Sequence, residues 1–337
     1  MRAVEVAKFG GPEVLVARDA PDPVAGPGQA VVRVTAAHVL FVETQIRSGW
    51  GREYFTVEPP YVPGDGVAGQ VTSVGDSVEP GWVGRSVVTR TGERGAYAEQ
   101  AVAQAEGLMP VPEGLGLREA AALLHDGPTA LGLFENARVE PEEWVLVLGA
   151  GGGLGILLVQ LARAADARVV GAARGTRKLD LARELGADAA IDYSEPGWAE
   201  RVREATGGTG PNVVFDGVGG EVGKAAFGET ARGGRFSAHG APSGAFAEID
   251  PQEVQRLGVS VTRDRAGPVR PRGAEAAGRA GAVRGGGRAA QAGHRANLPA
   301  GAGCRRTRRD GGPRRHWDDP VAGLMGRPSV RNSLGAD

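Results

Sequence analysis

The pattern of apolar and polar residues divides the chain into parts of different character. Up to about residue 119, short β-type runs such as AVVRVTAA and SVVTR are separated by turns rich in Gly and Pro. This spacing is typical of a small, strongly bent barrel or sandwich. An Ala-rich helical run begins near residue 118, and apolar strands then alternate with helical segments. That alternation predicts βαβ units and a parallel sheet.

The second part is predicted to contain five strands and four helices. The strands are expected at 145–149, 168–173, 189–193, 212–218 and 234–240, with helices near 154–165, 177–186, 197–206 and 221–231. Right-handed crossovers between such units give a doubly wound sheet. The predicted fold class is therefore α/β, with a β-rich domain over 1–119 and a nucleotide-binding domain over 120–262.

The last part, 263–337, shows neither a helix nor a strand period. Residues 265–337 contain 15 Arg, 15 Gly and no Lys. One interpretation is a disordered basic tail that binds nucleic acid or membranes. We favour another, because Arg, Gly, Ala and Pro are the residues that GC-rich DNA encodes in a shifted reading frame. In that interpretation the segment is the frameshifted end of the gene.

Charge and composition narrow the class of protein. Residues 1–264 carry 24 basic and 35 acidic side chains, a net charge of -11, so they offer no general attraction to nucleic acid. No segment reaches the roughly 18 consecutive apolar residues of a membrane span, and the first residues lack the pattern of a signal peptide. The single cysteine, Cys304, can form no internal disulfide. We expect a cytoplasmic protein with no membrane partner.

The strongest chemical signal is the run WVLVLGAGGGLGILLVQLARA at 144–164. It reads as an apolar strand, a glycine cluster and an amphipathic helix, which is the context that dinucleotide binding requires. Glycines permit a tight turn and a close approach of the backbone to a pyrophosphate at the helix N-terminus. The predicted contacts in this loop are Gly149, Gly152, Gly153, Leu154 and Gly155.

The end of the second predicted strand favours NADPH over NADH. An NAD site would place an Asp or Glu there for the ribose 2′-hydroxyl. This chain instead has Arg174, Thr176, Arg177 and Lys178. Cationic groups form charge-assisted hydrogen bonds with a 2′-phosphate, whereas a carboxylate would repel it. In the alternative, Arg177 and Lys178 merely lie on the solvated face of the next helix.

Five motifs together resemble the medium-chain dehydrogenase/reductase superfamily. They are FGGPEVL at 9–15, GPGQAVVRV at 26–34, PPYVPGDGVAGQVTSVGDSV at 59–78, GPTA at 127–130 and the glycine loop. The zinc-free quinone oxidoreductase branch, which resembles zeta-crystallin, fits best. Zinc relatives carry a His-Glu pair where this chain reads Gly64-Asp65-Gly66, and they carry cysteine ligands that this chain lacks. We therefore predict no metal.

The resemblance implies a GroES-like β domain and a Rossmann domain with the active site between them. It places Tyr193 and Lys178 near the adenosine 2′-phosphate, and Gly127 and Thr129 near the nicotinamide ribose. It also assigns contacts under the dinucleotide or beside the nicotinamide to Gly217, Val218, Gly219, His239, Gly240 and Ser243. Each of these residues could instead be an ordinary turn residue at a strand end. A homodimer formed through an edge strand is also implied.

The usual polar centre of this family is missing. Relatives often carry Asn, then Asp three positions later, or a Tyr beside the Asn, where this chain reads VLFVET at 39–44. The alternative proton donors are Tyr54 and His125, the latter followed by Asp126. His125 could equally be a scaffold or cofactor contact.

Three functions remain open from the sequence. The first is NADPH-dependent reduction of a quinone in a pocket lined by Phe41, Trp50, Tyr54 and Phe55. The second is an enoyl or 2-alkenal reductase, which delivers hydride to an activated C=C bond and needs a better proton donor. The third is a protein that binds the cofactor without turnover.

Overall fold

The computed structural model describes residues 1–52, 55–92 and 94–263. Tyr54 and nearly all of the segment to which the frameshift hypothesis applies lie outside these ranges. The described residues form two parts, a β-rich part at the N-terminal end and an α/β part after it.

An antiparallel five-stranded sheet forms the centre of the β-rich part. Its strands lie in the order β6-β3-β4-β5-β7. Two further strands, β1 and β2, pair with each other as a separate ribbon. The strands are β1 (Arg2–Val6), β2 (Leu15–Asp19), β3 (Gln29–Ala37), β4 (Gly66–Val74), β5 (Ser86–Arg90), β6 (Gln100–Gln104) and β7 (Met109–Pro110). Short 3₁₀ helices span Pro12–Val14, Pro80–Trp82 and Ala105–Gly107, and helix α1 spans Phe41–Ser48.

A parallel six-stranded sheet forms the second part. Its strands lie in the order β10-β9-β8-β11-β12-β13, so the chain winds outward in one direction and then in the other from β8. This is the strand order of a Rossmann fold. The strands are β8 (Trp144–Leu148), β9 (Arg168–Ala173), β10 (Ala189–Asp192), β11 (Val213–Asp216), β12 (Arg235–Ala238) and β13 (Ser260–Arg263). The predicted α/β fold class is confirmed.

Helices cover both faces of the parallel sheet. They are α2 (Leu117–Ala137), α3 (Gly153–Ala164), α4 (Thr176–Glu184), α5 (Trp198–Ala205), α6 (Gly220–Gly228) and α7 (Pro251–Leu257). The four helices predicted between the strands occur within three residues of their predicted ends. The structure adds two elements that the pattern did not predict, α7 and β13. Asp250 caps α7 by accepting the N–H of Gln252, and β13 pairs with β12 at the edge of the sheet.

Helix α2 is much longer than the helical run predicted over 118–124. It continues through Gly127, Pro128 and Thr129, so the two residues that the resemblance placed near the nicotinamide ribose lie within a helix. Pro128 lacks the N–H that would donate to the carbonyl of Leu124. At the next position, the Thr129 hydroxyl donates to the carbonyl of His125 at 2.8 Å. The boundary predicted between 119 and 120 falls in the first turn of α2 and stays a prediction.

The residues of β8 alternate between two buried layers. Val145 and Val147 pack on one face with Phe215, and Leu146 and Leu148 pack on the other with Phe236. All six are essentially inaccessible. Burial of both faces explains why the strand is a continuous apolar run rather than an alternating one. The sheet therefore holds the glycine loop that follows Leu148 on a rigid base.

Candidate active site

The carboxyl ends of β8 and β11 lie side by side at the point where the strand order reverses. Open parallel sheets bind ligands in the crevice at such a point. Gly149, directly after β8, has a φ of +72°, a conformation that glycine adopts at little cost. A Cβ atom on Gly217, directly after β11, would lie 3.2 Å from the carbonyl oxygen of Leu148. The two strand ends meet so closely because both turns contain glycine.

The glycine loop opens directly into α3. Gly152 is the N-cap, and Gly153, Leu154 and Gly155 form the first turn, whose N–H groups have no acceptor within the helix. A Cβ on Gly155 would overlap the carbonyl oxygen of Gly149 and approach the Cα of Ala150 to 2.9 Å. The positive end of the helix dipole and these N–H groups suit an anion. The loop therefore fits the pyrophosphate of a dinucleotide, and the individual contacts assigned to it from sequence stay predictions.

The end of β9 presents a cluster of exposed polar and cationic side chains. The guanidinium of Arg174 lies over the ring of Tyr193, 5.9 Å from its centroid. The stem of Lys178 packs against Gly151, where a Cβ would lie 2.5 Å from the Lys178 Cβ. Thr176 begins α4 beside them. Of the side chains that sequence analysis assigned to the 2′-phosphate, Arg174 and Tyr193 are in contact, and Thr176, Arg177 and Lys178 follow in the first turn of α4. Their contact with the phosphate stays a prediction.

Asp192 lies at the neighbouring strand end and holds the loop that carries Arg174. Its Oδ2 accepts the N–H of Gly175 at 2.8 Å, and its Oδ1 accepts the N–H and hydroxyl of Ser194. The Ser194 hydroxyl, above all, lowers the pKa of Asp192. The carboxylate therefore stays ionised and structural, and it was not predicted as part of the site.

The turn after β11 is held by a buried carboxyl group. Oδ1 of Asp216 accepts the N–H groups of Val218 and Gly219 at 2.9 and 2.8 Å. Burial raises the pKa of Asp216. The Ser243 hydroxyl donates to the carbonyl of Val218 at 2.9 Å and so ties the loop after β12 to this turn. The predicted group Gly217, Val218, Gly219 and Ser243 forms one connected floor to the crevice.

His239 lies at the end of β12, next to this floor. Its Nε2 would lie 3.1 Å from a Cβ on Gly217, and its ring packs edge-on against Phe215. Burial lowers its pKa to about 4, so the ring is neutral near neutral pH. The N–H of Gly240 donates to the carbonyl of Asp216 at 3.2 Å. His239 and Gly240 thus border the crevice where the resemblance placed the nicotinamide.

A second histidine, His125, lies on α2 in a polar cluster between the two parts of the chain. Its Nδ1 is 3.2 Å from the Nδ1 of His38, and its Nε2 is 3.3 Å from Oδ2 of Asp65. The Nε2 of His38 is in turn 3.7 Å from Oδ2 of Asp126. Burial, and then the nearby His125, lowers the pKa of His38 to about 4. Four titratable side chains therefore form a continuous series across the junction.

The surroundings of the cluster fix its outer members. Arg90 Nε donates to Oδ2 of Asp65 at 2.7 Å, and the N–H of Gly92 donates to its Oδ1. On α1, the Glu43 carboxylate accepts the Tyr97 hydroxyl at 2.6 Å. Burial raises the pKa of Glu43 although the Tyr97 hydrogen bond opposes this. Glu43 also accepts the N–H of Leu40 at 3.0 Å, so its carboxylate holds the start of α1.

Sequence reasoning missed His38 and the part that Asp65 takes in this cluster. The two histidines are 87 residues apart, so no local spacing links them. They meet because His38 follows β3 while Gly66 opens the adjacent β4 without a side chain. A Cβ on Gly66 would lie 2.7 Å from His125 Cε1. Gly66, the second glycine of the Gly64-Asp65-Gly66 motif, was therefore the sequence signal that could have indicated this close contact.

Large apolar side chains remain exposed where α1 begins. Phe41 is 59% exposed and Val39 is 41% exposed, and the ring of Trp50 lies 6.4 Å from that of Phe55. Exposed aromatic groups beside a polar cluster are a feature of small-molecule sites. Tyr54, the other predicted proton donor, lies outside the described residues, so its role stays a prediction.

The described ranges contain no metal-binding cluster and no membrane-spanning helix. In the described ranges, no group of three or more His, Cys, Asp or Glu side chains is arranged to hold a metal ion. None of the helices in the same part of the chain is both long enough and apolar enough to cross a bilayer. The prediction of a zinc-free site stays a prediction.

Comparison with known proteins identifies the family. Residues 26–113 match the family model of the alcohol dehydrogenase GroES-like domain, and residues 153–268 match that of zinc-binding dehydrogenases. The 2-haloacrylate reductase of a Burkholderia species is 36% identical over 76% of this chain and 78% of its own length. The rat quinone oxidoreductase is 37% identical over 64% of this chain and 66% of its own.

A solved structure gives the same assignment. A mycobacterial protein complexed with NADPH superposes with a TM-score of 0.70 at 37% identity, over 79% of this chain and 82% of that one. The fold and crevice are those of a two-domain reductase with a GroES-like and a Rossmann part. The chain belongs to the medium-chain dehydrogenase/reductase superfamily, in its quinone oxidoreductase branch.

Proposed function

We propose that this protein is an NADPH-dependent reductase that transfers hydride to an acceptor of the quinone type. The observation that carries the proposal is the open glycine loop between β8 and α3, with Arg174 and Lys178 at the neighbouring strand end. The reduced nicotinamide would supply the hydride. The protein's own task is to orient the cofactor, exclude water and manage one proton.

The cofactor would be held by three groups of residues. The first turn of α3 would bind the pyrophosphate through backbone N–H groups. Arg174, Thr176, Lys178 and Tyr193 would surround the 2′-phosphate, where guanidinium and ammonium groups form charge-assisted bonds. The floor from Gly217 to Gly219, with His239, Gly240 and Ser243, would support the nicotinamide end. In α2, Gly127 and Thr129 would face its ribose.

The exposed aromatic side chains at the two ends of α1 favour a quinone as acceptor. Phe41 and Trp50 present exposed aromatic surface, and Leu40 at the start of α1 offers no proton. A flat, electron-poor ring can pack on such surfaces, and its reduction requires the protein to supply little beyond position. The rat relative is named a quinone oxidoreductase, which supports this choice.

A second candidate is reduction of an activated C=C bond. His125 and its neighbours supply the proton-bearing groups that such a reaction needs beside the cofactor helix. The Burkholderia relative is named a 2-haloacrylate reductase, and a haloacrylate is an activated alkene. In either reaction, His125 would serve as the proton donor among the described residues.

Product analysis separates these candidates. The full chain is incubated with NADPH and, in parallel, with a benzoquinone, a 2-alkenal and 2-chloroacrylate. Hydroquinone formation alone supports the main proposal, and a saturated product from either alkene supports the second. Binding of NADPH without any product identifies a catalytically idle protein. An unchanged rate after treatment with a strong chelator supports the zinc-free prediction; the homodimer and the cytoplasmic location also stay predictions.

A further inference from the structure

Asp126 stands directly against the first turn of the proposed cofactor helix. A Cβ atom on Gly153 would overlap Oδ2 of Asp126, so the carboxyl group occupies the space that a side chain on Gly153 would fill. Gly153 is the first residue of α3, which is 12 residues long. The carboxyl group and the proposed pyrophosphate position therefore share one helix end.

Two negative groups at the N-terminus of α3 would raise the free energy of the complex. The helix N-terminus stabilises one anion, but an ionised Asp126 and a pyrophosphate would repel each other at short range. The side chain of Asp126 is only 20% exposed, so water screens it poorly. Burial already raises the pKa of Asp126. A neutral, protonated Asp126 removes the repulsion and adds a hydrogen-bond donor beside the anion.

The contacts behind Asp126 form a path for that proton. Oδ2 of Asp126 faces Nε2 of His38 at 3.7 Å, and Nδ1 of His38 faces Nδ1 of His125 at 3.2 Å. Only one proton fits between the two Nδ1 atoms, because each neutral imidazole has one donor and one acceptor nitrogen. Nε2 of His125 then faces Oδ2 of Asp65 at 3.3 Å. The distance of 3.7 Å between His38 and Asp126 is longer than a hydrogen bond, so proton transfer requires these two atoms to approach each other. The link between His125 and Asp65 holds no proton until Nε2 of His125 gains one.

We propose that Asp126 takes up one proton when a dinucleotide binds at the first turn of α3, and that the His38–His125 pair conducts this proton to it. This inference rests on the proposed function. It goes further by making cofactor binding a proton-linked step and by assigning His38 a role as a positioning and relay residue.

The transfer balances as an exchange of both imidazole tautomers. Before binding, His38 carries its proton on Nε2 and His125 carries its proton on Nδ1. His125 Nε2 gains a proton from water, and its Nδ1–H bond breaks as an Nδ1–H bond forms on His38. The Nε2–H bond of His38 then breaks as the Oδ2–H bond of Asp126 forms. One proton has entered from solvent, and both rings are neutral again.

Other charged groups face this series from each neighbouring element. From β5, Arg90 pairs with Asp65 and holds it at the far end. From α1, the carboxylate of Glu43 accepts the hydroxyl of Tyr97. The first turn of α3, Gly153–Gly155, contains no acidic or basic residue. The nearby Lys178 packs against Gly151 in the preceding loop. None of these groups contacts Oδ2 of Asp126 as closely as His38 does.

Calorimetry of NADPH binding tests the proton uptake. The full chain is titrated with NADPH at one pH in PIPES and in Tris, whose enthalpies of protonation differ. The proposal predicts uptake of up to ~1 proton per bound NADPH and a dissociation constant that rises by as much as ~10-fold per pH unit. The 2′-phosphate of NADPH itself titrates near a pKa of about 6. The decisive quantity is therefore the difference between wild type and a variant.

Asp126→Asn is that variant, because an amide has the shape and neutrality of the protonated carboxyl group. It is predicted to bind NADPH at least as tightly as wild type at high pH and to lose the proton uptake that exceeds the ligand's own. Glu135→Gln is the matched control, since it removes the same charge from an exposed position on α2 nine residues away. The control should keep the uptake of wild type.

Nitrogen chemical shifts of the imidazole rings test the relay. On addition of NADPH, His125 should change from the Nδ1–H to the Nε2–H tautomer, and His38 should change in the opposite sense. Equal proton uptake in wild type and Asp126→Asn overturns the proposal, as do unchanged tautomers. Absence of any NADPH binding, measured as heat and as protection against unfolding, would instead overturn the proposed function.

Discussion

The Nδ1 atoms of His38 and His125 lie 3.2 Å apart, although 87 residues separate them in the chain. At this distance only one of the two nitrogens carries a proton, so the rings cannot both be fully protonated without strong repulsion. The lowered pKa of His38, about 4, expresses its burial first and this neighbour second. The two rings therefore form one hydrogen-bonded pair at the junction of the β-rich and Rossmann parts.

Removal of His125 should raise the pKa of His38. In His125→Asn the neighbouring imidazole is gone while burial remains, so the pKa of His38 moves upward but stays below 6.5. Titration of the ring resonances by NMR measures this shift. A pKa of His38 that does not change in the variant would show that the two rings do not interact in solution.

The stability of the fold should fall as pH is lowered, in part because of His239. Its pKa is about 4 in the folded protein, below the ordinary histidine value of 6.5, so the unfolded chain binds the proton more tightly. The contribution of this group is fully present above pH 6.5 and is lost as pH falls towards 4. The loss has a slope of up to about 1.4 kcal/mol per pH unit.

Urea denaturation of wild type and His239→Gln between pH 7 and about pH 4.5 measures this contribution. The difference in free energy of unfolding between the two proteins should shrink as the pH falls, because the variant lacks the titrating ring. Asp126, Glu43 and Asp216 have raised pKa values and act in the opposite sense at low pH, but they are common to both proteins. A constant difference across the range would contradict the assignment.

A methyl group at Gly155 should abolish cofactor binding. Its Cβ would overlap the carbonyl oxygen of Gly149 and crowd the Cα of Ala150, and backbone atoms cannot move aside as a side chain does. We expect Gly155→Ala to weaken NADPH binding more than about 10-fold by distorting the loop. Fluorescence titration of the bound nicotinamide checks this.

Gly132→Ala is the control for this prediction. Gly132 lies within α2, and a Cβ there would meet nothing within 4 Å. Alanine should therefore leave NADPH affinity unchanged and stabilise the helix by roughly 0.5–1 kcal/mol. Similar affinities of the two variants for NADPH would remove the glycine loop from the cofactor site.

Arg174 should decide between NADPH and NADH. Loss of a charge-assisted hydrogen bond to the 2′-phosphate in Arg174→Ala is expected to lower the preference for NADPH by about 10- to 100-fold, with little change for NADH. The control Arg183→Ala removes an exposed guanidinium from α4, the helix that begins two residues after Arg174, where it pairs with Asp180. Steady-state KM values for both cofactors give the ratio, and equal ratios in the two variants would exclude Arg174 from the 2′-phosphate site.

The Rossmann part could be predicted from sequence because its signals are local. Strands such as Trp144–Leu148 are continuous apolar runs, and the glycine loop lies between strand and helix in a fixed order. Helix α2 extends well beyond the Ala-rich run from which it was predicted, although Gly127 and Pro128 are residues that commonly end a helix. Tertiary packing overrides that signal, since Ala130 and Leu133 beyond it are buried against the sheet.

The polar cluster could not be predicted in the same way. His38, Asp65 and His125 come from three separate elements, and only the antiparallel pairing of β3 with β4 brings the first two together. No spacing along one helix or strand encodes that contact. The candidate proton donor His125 was found because it precedes a recognisable motif, but its partner His38 required the fold.

The most direct test of the account is NADPH oxidation by the full chain, followed as the loss of reduced-nicotinamide absorbance with and without a benzoquinone. The account predicts oxidation that depends on the quinone and that is faster with NADPH than with NADH. No quinone-dependent oxidation, in a protein that NADPH still protects against unfolding, would contradict the proposed reductase activity and leave a cofactor-binding protein without turnover.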